Sequence, residues 1–549
     1  MNKQEKSFNN IFIFLKWLST SLFFVFFISI FLHRLISFNQ DLGRHLKIGE
    51  IIFLSKSVPK TNLFSSSFSD FPFINHHWLP ELVYYLSNLF FGLNSLIILK
   101  ILLVVPAFFI LFLLARKKSG LIISLSWGLL ILMLFSQRTE VRPEIFSYFF
   151  LSIFLWFLEK KKVLKKFYYL LPLCQIFWVN SHIYFFLGPM IVLFYLLNHI
   201  VKFKVSRKKE LKLIAFTFFL VSLATLMNPN IFKGAFYPLY VFKNYGYQVV
   251  ENQSFFYMSR YTGKIFDPLF LTVFLLSFAS FIITIKKQTF YTISSFIFFS
   301  ILGFLAIRNI PIFALGMLIP VCTNLSILFI KIEKKINLDL KLNLKLFFYF
   351  LFIMAILLLT YQRISNQYYI KKLSSKRFGL GEFIGAENGV DFVIKNNIKG
   401  PVFNNFDIGS FLIYRLYPEY KVFVDGRPEA YPAEFLQNIY IPAQMSKDKW
   451  QEVLKNYNFN FIFFSHTDIT PWSTTFLPRI VTDKDWLVVY LDDYVIILVK
   501  NNSLNKDTIE KYALDKNNFS YSCSGQIDCY ARIKRILNLI KFSDKGIIL

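Results

Sequence analysis

Residues 17–45 read WLSTSLFFVFFISIFLHRLISFNQDLGRH, and this stretch decides the fold. Its first part, Trp17 to Ile36, is an apolar run too long for a signal-peptide core and lacks a small-residue cleavage site, so it is expected to remain as an uncleaved signal anchor. Its second part turns abruptly polar at Asn39-Gln40-Asp41-Leu42-Gly43-Arg44-His45. A carboxylate within a few residues of a membrane span marks the place where chemistry is expected, because charge beside hydrocarbon is costly and is kept for a purpose.

Outward from this run the chain repeats the pattern. Further apolar runs lie near 95–115, 119–136, 144–158, 167–180, 183–201, 211–227, 267–285, 289–306, 311–330 and 346–361. With the first they make about eleven expected spans of roughly 14–21 residues, against a hydrocarbon core of about 30 Å. Composition agrees: 55% of the 549 residues are apolar and only 17% charged, which excludes an ordinary water-soluble enzyme. The 61 Lys and Arg against 33 Asp and Glu do not indicate a nucleic-acid binder, because they gather in short loops between the spans.

Those loops orient the chain. Arg116-Lys117-Lys118, Lys160-Lys161-Lys162, Arg207-Lys208-Lys209, Lys286-Lys287 and Lys331 to Lys345 lie on one side with the amino terminus, which the positive-inside rule makes cytoplasmic. The loop 37–94, the loop 228–266 and residues after about 362 are then exported. The expected architecture is a multi-pass α-helical membrane region, 1–361, followed by a small exported α/β domain, 362–549. In the tail, Pro401–Phe403, Val422–Val424, Phe459–Phe464, Trp486–Leu491 and Tyr494–Val499 read as strands. Ser446–Tyr457 reads as a helix, and Asp492-Asp493 as a hairpin turn. Cys523 and Cys529 leave a local disulfide open, whereas Cys174 and Cys322 sit in spans as packing residues.

Unusual polar residues collect on the exported side. Besides Asp41 and His45 they are Asn75-His76-His77-Trp78-Leu79-Pro80-Glu81, Gln137-Arg138-Thr139-Glu140-Val141-Arg142-Pro143-Glu144, Asn180-Ser181-His182, Asn228-Pro229-Asn230 and Arg308-Asn309. Four of the seven histidines belong to this set, which points to segments converging on one site. Each residue also has a structural reading: Arg and His snorkel or cap, His76-His77 can join Trp78 in an aromatic belt, and Glu81 and Glu144 can serve helix dipoles. The set suits phosphate chemistry. Asp41, with Glu140 as a second acid, can take a proton from an acceptor hydroxyl or help hold a divalent cation such as magnesium or manganese. Arg138, Arg142, Arg308 and His182 can hold a donor phosphate, guanidinium being matched to phosphate oxygens. His45, His76, His77, Glu81 and Asn180 are expected to contact substrate.

This layout resembles the GT-C superfamily of integral membrane glycosyltransferases, which use polyprenyl-linked sugars. The first loop looks most like the branch of protein mannosyltransferases and lipid A aminoarabinose transferases: an Asp past span one, then Gly49, then a helical return towards the membrane. On that resemblance Asp41 takes the place of the catalytic acid, and Glu140 that of the second acidic motif of oligosaccharyltransferases. Asn404-Asn405-Phe406-Asp407-Ile408-Gly409 is similar to the oligosaccharyltransferase Trp-Trp-Asp-Tyr-Gly segment, with Asn405 and Phe406 in place of the tryptophans. Asp407 is therefore either substrate-binding or a helix cap. Val424-Asp425-Gly426-Arg427-Pro428-Glu429 is expected to face the acceptor through Asp425 and Arg427, the alternative being a corner in which those two pair. The resemblance implies transfer of a sugar from a polyprenyl-phosphate donor to an envelope glycan, lipid or protein. A flippase for a lipid-linked intermediate is the competing reading, although repeats and midplane acids are missing. A non-catalytic envelope scaffold is the other.

Overall fold

The computed structural model describes residues 3–36, 41–160, 169–202, 208–241, 245–333, 338–372, 374–383 and 385–514. Cys523 and Cys529 lie outside these residues. Among them, Asn10–Phe31, Asn94–Ser119, Ile183–Val201, Ile307–Ile330 and Asn343–Ile364 are helical, and long and apolar enough to cross a membrane. Shorter apolar helices are Leu121–Phe135, Leu170–Val179, Pro268–Ile283 and Phe290–Leu305. With Glu144–Glu159 and Lys208–Ala224 they place a helix over each of the eleven apolar runs.

The first run departs from expectation at its end. The helix Lys3–Phe31 stops at Phe31, and Leu35–Ile36 form a strand, β1, parallel to Glu382–Phe383, β2. Leu35 and Ile36 are apolar because the tail covers them, not because lipid does. Lys100, inside the long helix Asn94–Ser119, is buried and donates to the Thr139 carbonyl at 2.7 Å, with His33 Nε2 at 3.2 Å. It ties the chain beyond span one to the loop that carries Arg138 and Arg142.

In the tail a four-stranded sheet runs in the order β3-β4-β6-β5, from Val402–Asn404 (β3), Phe461–Ser465 (β4), Trp486–Leu491 (β5) and Val495–Lys500 (β6). β3 and β4 are parallel, and β6 is antiparallel to both β4 and β5. Alternate residues face opposite layers. Phe403, Ile462, Phe464 and Leu498 pack with Trp450 and Phe476, while Val402, Phe461, Phe463 and Ile497 pack with Val390, Val393 and Leu412. Burial on both faces explains why β4 reads as an unbroken apolar run. The helix starts one residue after Ser446, whose hydroxyl accepts from Lys449 N. At the hairpin, Asp492 Oδ1 accepts from Tyr494 N and Val495 N, each at 2.8 Å.

Val422–Val424 is not a sheet strand. Val422 bridges Ser65 of the first loop, and the Asn404 side chain serves Phe423 N and Val424 O in place of a neighbouring strand. The first loop thus packs into the tail: Ile48, Ile52 and Phe64 enter one of its cores and Phe73 the other. Gly49 lets the helices Leu42–Ser55 and Trp78–Phe91 meet, since a β-carbon there would stand 2.1 Å from the Glu81 carbonyl oxygen. Cys322 is buried and Cys174 half-buried.

Candidate functional site

Where the first loop, the span ends and the tail meet there is a polar cavity of about 90 Å³. It is lined by eight of the expected residues: Asp41, His45, His76, His77, Arg138, Arg142, His182 and Arg308. Asp41 immediately precedes the helix Leu42–Ser55, and its side chain keeps 28% of its exposure while Arg44, one turn on, is buried. Arg44 Nη2 lies 3.5 Å from Asp41 Oδ1, and Arg44 Nη1 lies 3.5 Å from Glu81 Oε1. Burial alone would raise the Asp41 pKa, but the Arg44 and Arg142 guanidiniums outweigh it and hold the carboxyl below its ordinary value. Asp41 is ionised at neutral pH.

The guanidiniums are tightly held. Arg138 grips Glu144 through two bonds, Nε to Oε1 at 2.9 Å and Nη2 to Oε2 at 2.8 Å, and gives Nη1 to Glu251 at 2.7 Å. Arg142 Nη1 donates to both oxygens of Glu251, at 2.9 and 2.8 Å. Burial would raise the Glu251 pKa, yet Arg142 and Arg138 bring it far below the usual carboxylate range. Arg308 differs: it donates to Tyr184 Oη at 3.2 Å and Asn252 Oδ1 at 2.9 Å, with His182 Nε2 at 3.5 Å. Among the described residues lining the cavity, it is the one guanidinium without a carboxylate partner. The buried atoms Arg44 Nε, Arg44 Nη1 and Arg142 Nε have no hydrogen-bond partner, a costly arrangement unless something fills the cavity.

The histidine rings cluster, His77 stacking on His182 and meeting His45 edge-on. His76 and His77 have ring centroids 3.7 Å apart, His77 and His182 5.5 Å, and His45 and His77 5.7 Å. Burial pushes all four pKa values down, that of His76 to about 4. They are neutral near pH 7, so His182 offers an N–H or a lone pair rather than a cation.

Other expected residues are placed elsewhere. Glu81 lies behind the cavity wall, accepting from His45 Nδ1 at 2.8 Å and Asn75 Nδ2 at 2.6 Å. Asn180 accepts from Trp78 Nε1 at 2.7 Å and donates to the carbonyls of Ile176 and Met227, so it fastens Trp78. Glu140 is outside the cavity lining and pairs with Lys376, against burial that would otherwise raise its pKa. Asp41 and Glu140 therefore do not come together as the expected magnesium or manganese pair. Among the described residues no group of three or more His, Cys, Asp or Glu side chains is gathered for an ion.

Asp425 and Arg427 are buried, at 0% and 2% exposure, and point away from the cavity. Arg427 Nε and Nη2 bond Asp425 at 2.7 Å each, Nη2 bonds Asn62 Oδ1 at 2.6 Å, and Tyr431 Oη donates to Asp425 at 2.8 Å. The corner reading describes these two side chains, while their neighbours Gly426, Pro428 and Glu429 line the cavity. The chain bends at Gly426, where Arg427 N donates to the Asp425 carbonyl at 2.7 Å, and the tight turn leaves Asp425 and Arg427 side by side.

A second cleft, of about 590 Å³, opens on the other side of Asp41 and also reaches Arg142, Tyr247, Phe406, Asp407 and Thr470. Asp407 does not cap the following helix Gly409–Leu416, whose preceding residue Ile408 has no side-chain cap. It faces the open cleft, where the surrounding protein and the carboxylates of Asp468 and Asp41 raise its pKa to about 7. Tyr247 stacks on Phe406 with ring centroids 4.1 Å apart. A third, largely apolar groove of about 330 Å³ runs from Arg308 past Tyr184, Leu187, Leu302, Leu305 and Ile312.

Sequence reasoning gave no role to Arg44 and Glu429, which lie in the segments it singled out, and passed over Glu251 and Tyr247. Arg44 was legible, three residues beyond Asp41 and hence on the same helix face. Glu251 carried one signal, an acid in a long exported loop, and nothing local showed that it would meet two arginines about 110 residues earlier.

No protein-family model and no curated relative matches the chain. Solved structures do. The archaeal oligosaccharyltransferase AglB from Archaeoglobus fulgidus, in complex with an inhibitory peptide and a dolichol-phosphate, is 12% identical with a TM-score of 0.58 over 86% of this chain and 72% of that one. The Archaeoglobus fulgidus enzyme in complex with Zn and sulfate is 12% identical with a TM-score of 0.53, covering 87% and 73%. ArnT from Cupriavidus metallidurans bound to undecaprenyl phosphate is 13% identical with a TM-score of 0.45, covering 89% and 98%. The chain shares the fold of the archaeal oligosaccharyltransferase over most of its length.

Proposed function

We propose that the protein is an inverting membrane glycosyltransferase that moves a sugar from a polyprenyl-phosphate donor to an acceptor hydroxyl on the exported face of a bacterial inner membrane. The observation that carries this reading is the position of Arg308, shared by the polar cavity and the apolar groove. A prenyl chain in the groove would bring its phosphate to that guanidinium, where charge-assisted hydrogen bonds suit a leaving phosphate. The dolichol-phosphate of the AglB complex is a ligand of that chemistry.

The acceptor would approach from the cleft that holds Asp407 and the Tyr247–Phe406 stack, so that Asp41 lies between the two substrates. Its hydroxyl oxygen bonds to the anomeric carbon as the bond from that carbon to the phosphate oxygen breaks. Asp41 takes the hydroxyl proton, and Arg308 meets the charge that develops on the departing phosphate. A carboxylate of low pKa is a weak base, suited to taking that proton late in the reaction. The unfilled Arg44 Nε and Nη1 positions are suited to the hydroxyls of the transferred sugar. Asp41 beside basic groups and an apolar lipid groove favours transfer over a flippase, which needs access to both sides.

The test compares wild type, a deletion strain and Asp41→Asn at matched expression, by mass spectrometry of envelope glycolipids and exported glycoproteins. Loss of one sugar increment in both mutants supports transfer and weighs the sugar. A deletion effect that Asp41→Asn does not share removes Asp41 from the chemistry.

A further inference from the structure

We propose that Glu251 determines how many phosphate groups the donor carries: with its carboxylate across Arg138 and Arg142, the cavity takes one phosphate at Arg308 and discriminates against a diphosphate. The inference deepens the lipid-phosphate reading above and rests on it.

The argument is one of charge placement. Four arginines line the cavity, which by number alone would welcome a polyanion. Three of them are already matched: Arg44 by Asp41 and Glu81, Arg138 by Glu144 and Glu251, Arg142 by Glu251. Positive charge without a matching carboxylate remains at Arg308, beside the mouth of the apolar groove. A single phosphate whose lipid lies in that groove meets it. A second phosphoryl group, further into the cavity, would meet Glu251 where it needs a guanidinium. Two anions held close together away from bulk water repel strongly.

Glu251 is held in this place by its own backbone. It is the middle residue of the short 3-10 turn Val250–Asn252. Asn252 Oδ1, on the same turn, accepts from Arg308 Nη1, and the next residue, Gln253, gives its carbonyl to Ile307 N at 3.0 Å. The turn is thereby fastened to the segment that carries the phosphate-facing arginine. Moving Glu251 aside would disturb the contacts that position Arg308, so a diphosphate cannot displace the carboxylate without weakening its own first phosphate contact. Arg142 has a further unfilled donor at Nε, but that guanidinium is already neutralised through Nη1.

The test uses the full chain purified in detergent, with farnesyl monophosphate and farnesyl diphosphate as probes in direct binding titrations. Wild type is expected to bind the monophosphate tighter by roughly tenfold or more. Glu251→Gln should strengthen diphosphate binding and shrink that preference about tenfold, whereas Glu251→Asp, which keeps the charge, should preserve it. Equal binding of both probes by wild type, or a preference that Glu251→Gln leaves unchanged, overturns the inference and leaves the lipid-phosphate reading standing. Wild type that binds neither probe overturns both. Arg308→Ala is the internal control, expected to weaken the two probes alike.

Discussion

Gly426 lies directly against Asp41: a β-carbon at Gly426 would stand 2.8 Å from Asp41 Oδ1. The tail therefore supplies a wall of the cavity and holds the first-loop carboxylate in place by leaving out a side chain. Gly426→Ala should push the carboxylate aside by a fraction of an ångström without disturbing the backbone. Displacement on that scale at a reacting group costs up to about 100-fold in rate. Turnover measured on folded protein, with thermal stability recorded in parallel, should drop about 10–100-fold while the melting temperature holds. Full turnover in Gly426→Ala would show that Asp41 has no need of that position.

Arg308 donates to Asn252 and Tyr184, neither of which is ionised at neutral pH. Arg308→Lys keeps the charge but loses the fork that serves two oxygens at once, and Arg308→Ala loses both. Initial rates against donor concentration should fall about 10-fold for Lys and about 100–1,000-fold for Ala, with kcat lowered as well as kcat/KM. A change confined to KM would mean that Arg308 binds the donor without meeting the charge that develops in the transition state.

Asp407 is expected to give the proposed reaction a pH dependence. Its folded pKa of about 7 exceeds the ordinary 3.8, so below about pH 7 it is largely protonated and above it largely ionised. If Asp407 meets the acceptor, its ionised form would accept hydrogen bonds from the acceptor hydroxyls, and kcat/KM for the acceptor should rise through pH 7 and level off above. Asp407→Asn should flatten that rise. The stability contribution runs the other way: between pH 3.8 and about 7 the folded chain keeps a proton that the unfolded chain has released, so stability declines as pH increases across that window.

Glu140 pairs with Lys376, joining the loop of Arg138 to the segment that leads into the tail. Glu140→Gln takes the carboxylate from a lysine that is 22% exposed, leaving it the Thr139 hydroxyl, and should cost about 1–3 kcal/mol of stability. Activity per folded molecule should stay near wild type. The measurement is specific activity corrected for the folded fraction, and a large loss there returns Glu140 to the chemistry.

Asp425 and Arg427 form a buried pair, and removing one charge leaves the other without compensation. Arg427→Ala should destabilise by about 3–5 kcal/mol, since breaking a buried pair costs more than the pair contributes. Because Arg427 also bonds Asn62, proteolysis of the first loop should accelerate in the same variant. Unchanged protease resistance would separate the corner from the docking of that loop.

Local signals carried the spans and the elements of the tail. An apolar run is a property of consecutive residues, and so are the β-branched runs of β5 and β6, the Asp492 turn and the Ser446 cap. Errors fell where burial came from a distant partner. Leu35 and Ile36 looked like lipid-facing helix because strand and span are equally apolar, and only β2, nearly 350 residues away, distinguishes them. Val422–Val424 looked like a sheet strand for the same reason, although its partners are Ser65 and the Asn404 side chain.

The sequence by itself determined that the chain spans a membrane many times, that its odd polar residues lie at one set of span ends, and that Asp41 follows the first span. These are matters of composition and order along the chain. Tertiary structure alone decided which of those residues share a cavity. Charged side chains at span ends look alike in sequence whether they face water, a neighbouring acid or a ligand. Arg138, Arg142 and Arg308 became distinguishable only when Glu251, from a loop far along the chain, was seen to bond the first two directly and not the third. Compensation of charge depends on distance in space over a few ångströms, and distance along the chain does not record it.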